Sequence, residues 1–254
     1  MRRLGGLYAS VLIAALTWIG TAAPAVAGPF SNWAVVVVAG DYRDHNGDPS
    51  EIFDNARRDV AAGLAAKGFS AANILQYSVR PDRYPDTRPG PSTYDAVSAG
   101  LTGLTARATG GCLFYISSHG APQGAIFGSG LLSPGLLAGM LNSACGQRPT
   151  IVIVSACFSG VFLQALSAPN RMVLTAARPD RTSFGCGAQN TYPYFDACFL
   201  QVLPQAHDFL GLASAVQACV TARETAEGLN PPSEPQVAID PTFRPMLPLY
   251  RFSP

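Results

Sequence analysis

The sequence is poor in charge and nearly devoid of lysine: only 13% of its 254 residues are charged, and Lys67 is the one lysine. Lys+Arg number 17 against 16 Asp+Glu, so the basic stripe that a nucleic-acid surface needs is missing. Histidines number only 3, and no two cysteines stand in a C-x-x-C spacing, which argues against a structural zinc site. Neither G-x-S-x-G nor G-x-x-x-x-G-K-[ST] occurs, which removes the usual serine-hydrolase elbow and the phosphate loop. Glycine and proline are scattered without period, and no internal repeat divides the chain. The stretch Asp44-His45-Asn46-Gly47-Asp48 has cation-binding residue types. Its glycine is misplaced for a calcium loop, however, and no glutamate closes it at the twelfth position, so a solvated turn is the better reading. No metal and no cofactor are expected. What is present in quantity is apolar: 48% of the chain, enough to pack a core.

The first 27 residues read as an export signal. Arg2 and Arg3 form a charged start, Leu7 to Ala23 an apolar stretch, and Ala25-Val26-Ala27 a small-x-small cleavage site before Gly28. Beyond it no run reaches the ~18 apolar residues of a membrane span, so no membrane partner is expected after cleavage. The remainder, 28–254, reads as a single domain, periplasmic or secreted.

Short β-branched runs alternate with amphipathic stretches. Trp33–Ala39 (WAVVVVA), Ile74–Val79, Cys112–Ile116, Ile151–Val154 and Met172–Thr175 read as buried strands, with a last strand at Gln236–Ile239. Helices are expected over Ser50–Lys67, with Ser50 as N-cap, over Thr93 to about Ala106, Pro134–Leu141, Phe195–Leu203 and Phe209–Glu227. Pro81–Pro91 reads as a loop. Such alternation implies an α/β fold with a mainly parallel sheet of about six strands flanked by helices. In such sheets ligands sit beyond the carboxyl ends of the strands.

Two strand ends carry reactive side chains. The third runs into Ser117-Ser118-His119-Gly120 and the fourth into Ser155-Ala156-Cys157-Phe158-Ser159-Gly160. Neighbouring strands lie ~5 Å apart, so an imidazole and a thiol would share one crevice. A thiol needs a base to raise its thiolate fraction and later an acid for the leaving group, and one histidine can serve as both. The glycine after each leaves backbone amides free to hold an oxyanion.

FYISSHG and IVIVSACFSG resemble the His-Gly and Ala-Cys-x-Ser-Gly blocks of the legumain-type cysteine peptidases. WAVVVVAG resembles that family's first strand, and Leu174 through Cys186 its fifth strand and specificity loop. The resemblance implies a caspase-like three-layer α-β-α fold, with His119 as catalytic acid/base and Cys157 as nucleophile. It also implies an oxyanion hole from the amides of Gly120 and Cys157, and a peptide or protein as substrate.

The chain departs from that pattern around the first pocket. Phe158 stands where legumains carry an acid, and Phe53 where they carry an arginine, although Arg57 and Arg58 lie close by. Cleavage after asparagine is therefore not expected to dominate. Asp41, Ser118, Phe158, Ser183 and Asp196 are the expected substrate contacts, with His45 on the rim. Of the 6 cysteines, Cys112 and Cys145 both precede strand starts and fit a bridge, whereas Cys186, Cys198 and Cys219 would supply a second of unknown pairing. Two other function classes stay open: an inactive binding protein on the same fold, and a thiol-dependent peptidyl transferase.

Overall fold

The computed structural model describes residues 28–253, and the expected leader lies outside the described residues. In chain order the elements are β1 (Trp33–Ala39), α1 (Ile52–Ala66), β2 (Ile74–Ser78), β3 (Gly90–Pro91), α2 (Tyr94–Thr105) and β4 (Gly111–Ser117). Next come β5 (Gly120–Ala121), β6 (Gly124–Phe127), β7 (Gly130–Leu132), α3 (Pro134–Cys145) and β8 (Thr150–Ser155). The chain closes with α4 (Phe162–Ala165), β9 (Arg171–Thr175), α5 (Tyr194–Val202), α6 (Phe209–Ala226) and β10 (Gln236–Ile239).

β1 has no polar alternation because both its faces are covered. Val35 and Val37 join one core with Val60 and Leu64 of α1, Phe195 and Phe199 of α5 and Phe209 of α6. Val36 and Val38 join the other with Leu101 of α2, Leu141 of α3 and Phe162 of α4. Each buried valine contributes about 1.5–3 kcal/mol. The result is helices on both faces of one sheet, in the order β10-β9-β8-β4-β1-β2-β3. Every pairing in it is parallel except that of β10 with β9.

The structure refines three expectations from sequence. The sheet holds the six expected strands and a seventh, because the Pro-rich loop after β2 ends in the two-residue edge strand β3. Pro91 has no N–H to give and is tolerated at an edge. A second, antiparallel sheet of β5, β6 and β7 follows His119 directly, built from strands too short to show a period. Helix α1 begins at Ile52 with Glu51 as N-cap residue, and the Ser50 hydroxyl instead accepts from the Ile52 amide at 3.2 Å.

Disulfides join Cys112 to Cys145 and Cys198 to Cys219. The first ties β4 to the end of α3 across 33 residues, and the second staples α5 to α6. Replacing Cys112 and Cys145 together by alanine should lower the unfolding free energy by about 3–4 kcal/mol, the chain-entropy value for a loop of this length. Urea denaturation measures it. A loss below about 1 kcal/mol would mean that core packing alone holds α3 in place.

Candidate active site

β4 and β8 pair in parallel with Ser117 opposite Ser155. Each chain leaves the sheet there, and the second residue beyond is His119 on one side and Cys157 on the other. Both line a cavity of about 370 Å³, together with His45, Ser183, Cys186 and Tyr194. Among the described residues no carboxylate, lysine or arginine lines it. A second depression, about 410 Å³, lies on the other side of His119 and is lined by Asp41, Asp44, His45 and Gly120.

His119 Nε2 lies 3.0 Å from the Arg43 carbonyl oxygen and 3.2 Å from that of Asp44. Carbonyls only accept, so Nε2 carries the hydrogen and Nδ1 is the bare nitrogen of the neutral ring. The loop that presents these carbonyls is held by its own carboxylates. Asp41 Oδ1 accepts from the amides of Tyr42 and Arg43 at 2.7 and 3.2 Å, and Asp44 Oδ1 from those of Asn46 and Asp48 at 2.8 and 3.1 Å. Phe53 packs against the imidazole, ring centroids 5.0 Å apart and nearly perpendicular.

The Cys157 thiol is free, and its sulfur accepts from the Ser183 amide at 3.3 Å. The turn beyond it is strained: Phe158 has φ 58°, a left-handed conformation that costs a bulky residue on the order of 1 kcal/mol or more. Its N–H donates to the Arg181 carbonyl at 2.8 Å, which holds the turn in place. Among the described residues nothing accepts from the Cys157 amide, so it is available to a developing oxyanion. A Cβ on Gly120 would overlap the Cys157 carbonyl oxygen, so only glycine lets the two strand ends approach this closely.

The sequence matches the Peptidase C13 family over residues 34–212. The chain belongs to that family. No curated protein matches the sequence. Among solved structures, the chain is similar to caspase-1 from Spodoptera frugiperda at 13% identity and TM-score 0.58, over 89% of this chain and 94% of that one. At that identity the likeness speaks for the fold alone. The C13 assignment and the caspase-like fold together make the protein a cysteine peptidase by family, and both match the resemblance carried by FYISSHG and SACFSG.

Within this C13 domain the expected substrate contacts separate. Ser183 lines the Cys157 cavity and Asp41 the neighbouring depression. Ser118, Phe158 and Asp196 line neither. Ser118 is buried and donates to the Ile126 carbonyl at 2.8 Å, fastening β6. The left-handed turn takes Phe158 away from the cavity. Asp196 is fully buried, with its carboxylate accepting from three hydroxyls: Tyr115 at 2.5 Å, Ser117 at 2.8 Å and Ser155 at 2.7 Å. Neither Arg57, buried in a 2.8 Å pair with Asp54, nor Arg58, paired with Asp59 at the surface, rebuilds a polar pocket. The carbonyls that face His119 were invisible to motif reading, because a backbone acceptor leaves no residue-type signature.

Cys186 is the second free thiol and lines the same cavity. Its carbonyl accepts from the His45 amide at 3.0 Å, which ties the two loops that flank the cavity. Burial first, and then the charges of Cys157 and Asp196, push the Cys186 thiol well above the ordinary range. It is therefore a poor nucleophile beside Cys157. Burial likewise pushes the Asp196 carboxyl up to about 6, against the pull of its three hydroxyl donors.

A native value near 6 against 3.8 unfolded means that the folded chain holds an extra proton between those limits. Stability should thus fall as pH rises through that window, by on the order of 3 kcal/mol from this group. Chemical denaturation of the wild type and Asp196→Asn at pH ~4 and ~7 checks it. The variant should lack this part of the dependence, and an identical slope in both proteins would contradict the assignment.

Proposed function

We propose that the protein is an exported cysteine endopeptidase in which Cys157 attacks the peptide carbonyl and His119 moves the proton. Resting on the carbonyls of Arg43 and Asp44, the imidazole keeps Nε2 protonated and offers Nδ1 as the base. Nδ1 takes the thiol proton, the thiolate adds to the carbonyl carbon, and the amides of Gly120 and Cys157 receive the oxyanion. Collapse expels the amine, which takes its proton from the imidazolium and leaves an acyl-thioester on Cys157. Water, deprotonated by His119, then hydrolyses the thioester and frees the thiol.

The observation that carries this reading is the meeting of His119 and Cys157 in one cavity at the ends of adjacent strands. Two disulfides support an oxidising compartment, as does the leader-like pattern of residues 1–27. Mass spectrometry of the exported protein should find Gly28 as its first residue. A product that keeps Met1 would contradict export by this leader.

The absence of Asp, Glu, Lys and Arg from the cavity wall sets the expected specificity. A charged side chain before the scissile bond would be desolvated without an ionic partner, whereas neutral ones meet apolar contact, about 10–200-fold per methylene, and the uncharged polar groups of Thr182, Ser183, Gln189 and Asn190. Matched peptides with Asn, Ala, Leu, Arg or Asp at that position should be cut with kcat/KM highest for the neutral group, without an asparagine preference of ~10⁴. His119→Ala and Cys157→Ala should each abolish turnover. Strong selection for Arg or Asp, or for Asn alone, would show that another residue completes the pocket.

A further inference from the structure

We propose that Asp196 is a positioning residue, a buried carboxylate that locks the ends of β4 and β8 together and so sets the distance between His119 and Cys157. The inference rests on the peptidase reading above and adds a part that neither motif contains. Ser117 and Ser155 are register partners across the β4–β8 pair, and each stands two residues before a reactive side chain. One carboxylate oxygen, Oδ2, accepts from both: 2.8 Å from Ser117 and 2.7 Å from Ser155. The other, Oδ1, accepts from Tyr115, two residues earlier on the same face of β4. Asp196 comes from outside the sheet, in the first turn of α5, where the helix terminus favours negative charge. The α5 helix is itself anchored by the Cys198–Cys219 bridge.

A merely structural role is an inadequate account of this arrangement. Burying a lone carboxylate is unfavourable, and an apolar side chain would fill the space between α5 and the sheet more stably. The backbone ladder sets the register of the two strands, and three hydroxyls converging from them onto one carboxylate add a side-chain tie at the strand ends, where the ladder stops. An ångström of misplacement at reacting groups can cost ~10²-fold in rate, so a rigid tie at this level matters to chemistry. The titratable groups that face Asp196 are Tyr115 on β4 and Cys186 on the loop before α5, and among the described residues no cation pairs with it.

The test reads Cys157 directly and needs no substrate. The rate of alkylation of Cys157 by iodoacetamide is measured across the neutral and mildly acidic range. Wild type is compared with His119→Ala, Asp196→Ala, Asp196→Asn, Ser117→Ala and Ser155→Ala, each with its thermal midpoint. The expected result is a His119-dependent rate in the wild type that falls about tenfold or more in Asp196→Ala while the protein stays folded. Asp196→Asn keeps an acceptor for the hydroxyls and should recover part of that loss, with the pH profile altered near 6 because its carboxyl is gone. Should Asp196→Ala fail to fold, the serine variants decide, each expected to slow alkylation with little change in midpoint. Rates within twofold of wild type in the folded variants overturn the proposal. A wild-type rate indifferent to His119→Ala overturns the dyad, and this tie with it.

Discussion

Parallel pairing of β4 with β8, Ser117 opposite Ser155, is the constraint on which the active site hangs. Two chains that leave a sheet at the same level carry their next residues into the same space. A slip by one residue is disfavoured, because the side-chain period is two and every side chain would move to the core on the opposite face of the sheet. Ile116 and Val154 would then exchange cores with Tyr115 and Ile153. The apolar centres of these strands, with a serine at the end of each, suit one register, and register is what brings an imidazole to a thiol.

What surrounds the pair is mostly backbone. Two carbonyls orient His119, one amide reaches the Cys157 sulfur, and another stays open beside it. Each is held by a local device: the Asp41 and Asp44 turns behind the carbonyls, and the left-handed Phe158 turn after Cys157. The glycine after His119 completes the set by letting the strand ends touch. Backbone groups cannot swing away as side chains do, so the site is oriented in advance. The strain at Phe158 is the local cost of that orientation, offset by the packed layers on either side of the sheet.

The parts of this molecule that were legible in its sequence are those with a strong periodic or compositional signature. WAVVVVA, CLFYI and IVIV announce doubly covered strands, and the layer order follows from their alternation with amphipathic helices. His119 and Cys157 stand out because reactive residues follow directly on such runs; the Cys112–Cys145 pairing was legible too, although it joins β4 to the end of α3 rather than two strand starts. The small sheet of β5 to β7 escaped notice because strands of two to four residues carry no measurable period. Asp196 was visible as an acid within the apolar run YFDACFL, yet the sequence alone could not say that it faces the sheet rather than the substrate. The carbonyls of Arg43 and Asp44 had no signal of any kind.

In the proposed mechanism Cys157 forms a thioester with the acyl half of a cleaved peptide while His119 handles the proton. The most direct measurement is mass spectrometry of the mature protein, quenched in acid during turnover of a slowly hydrolysed peptide ester and then digested. The account predicts an added mass equal to the acyl portion, carried on the peptide that contains Cys157 and absent from the His119→Ala protein. An adduct on Cys186 or on a serine, or turnover with no adduct while Cys157→Ala stays active, would contradict it.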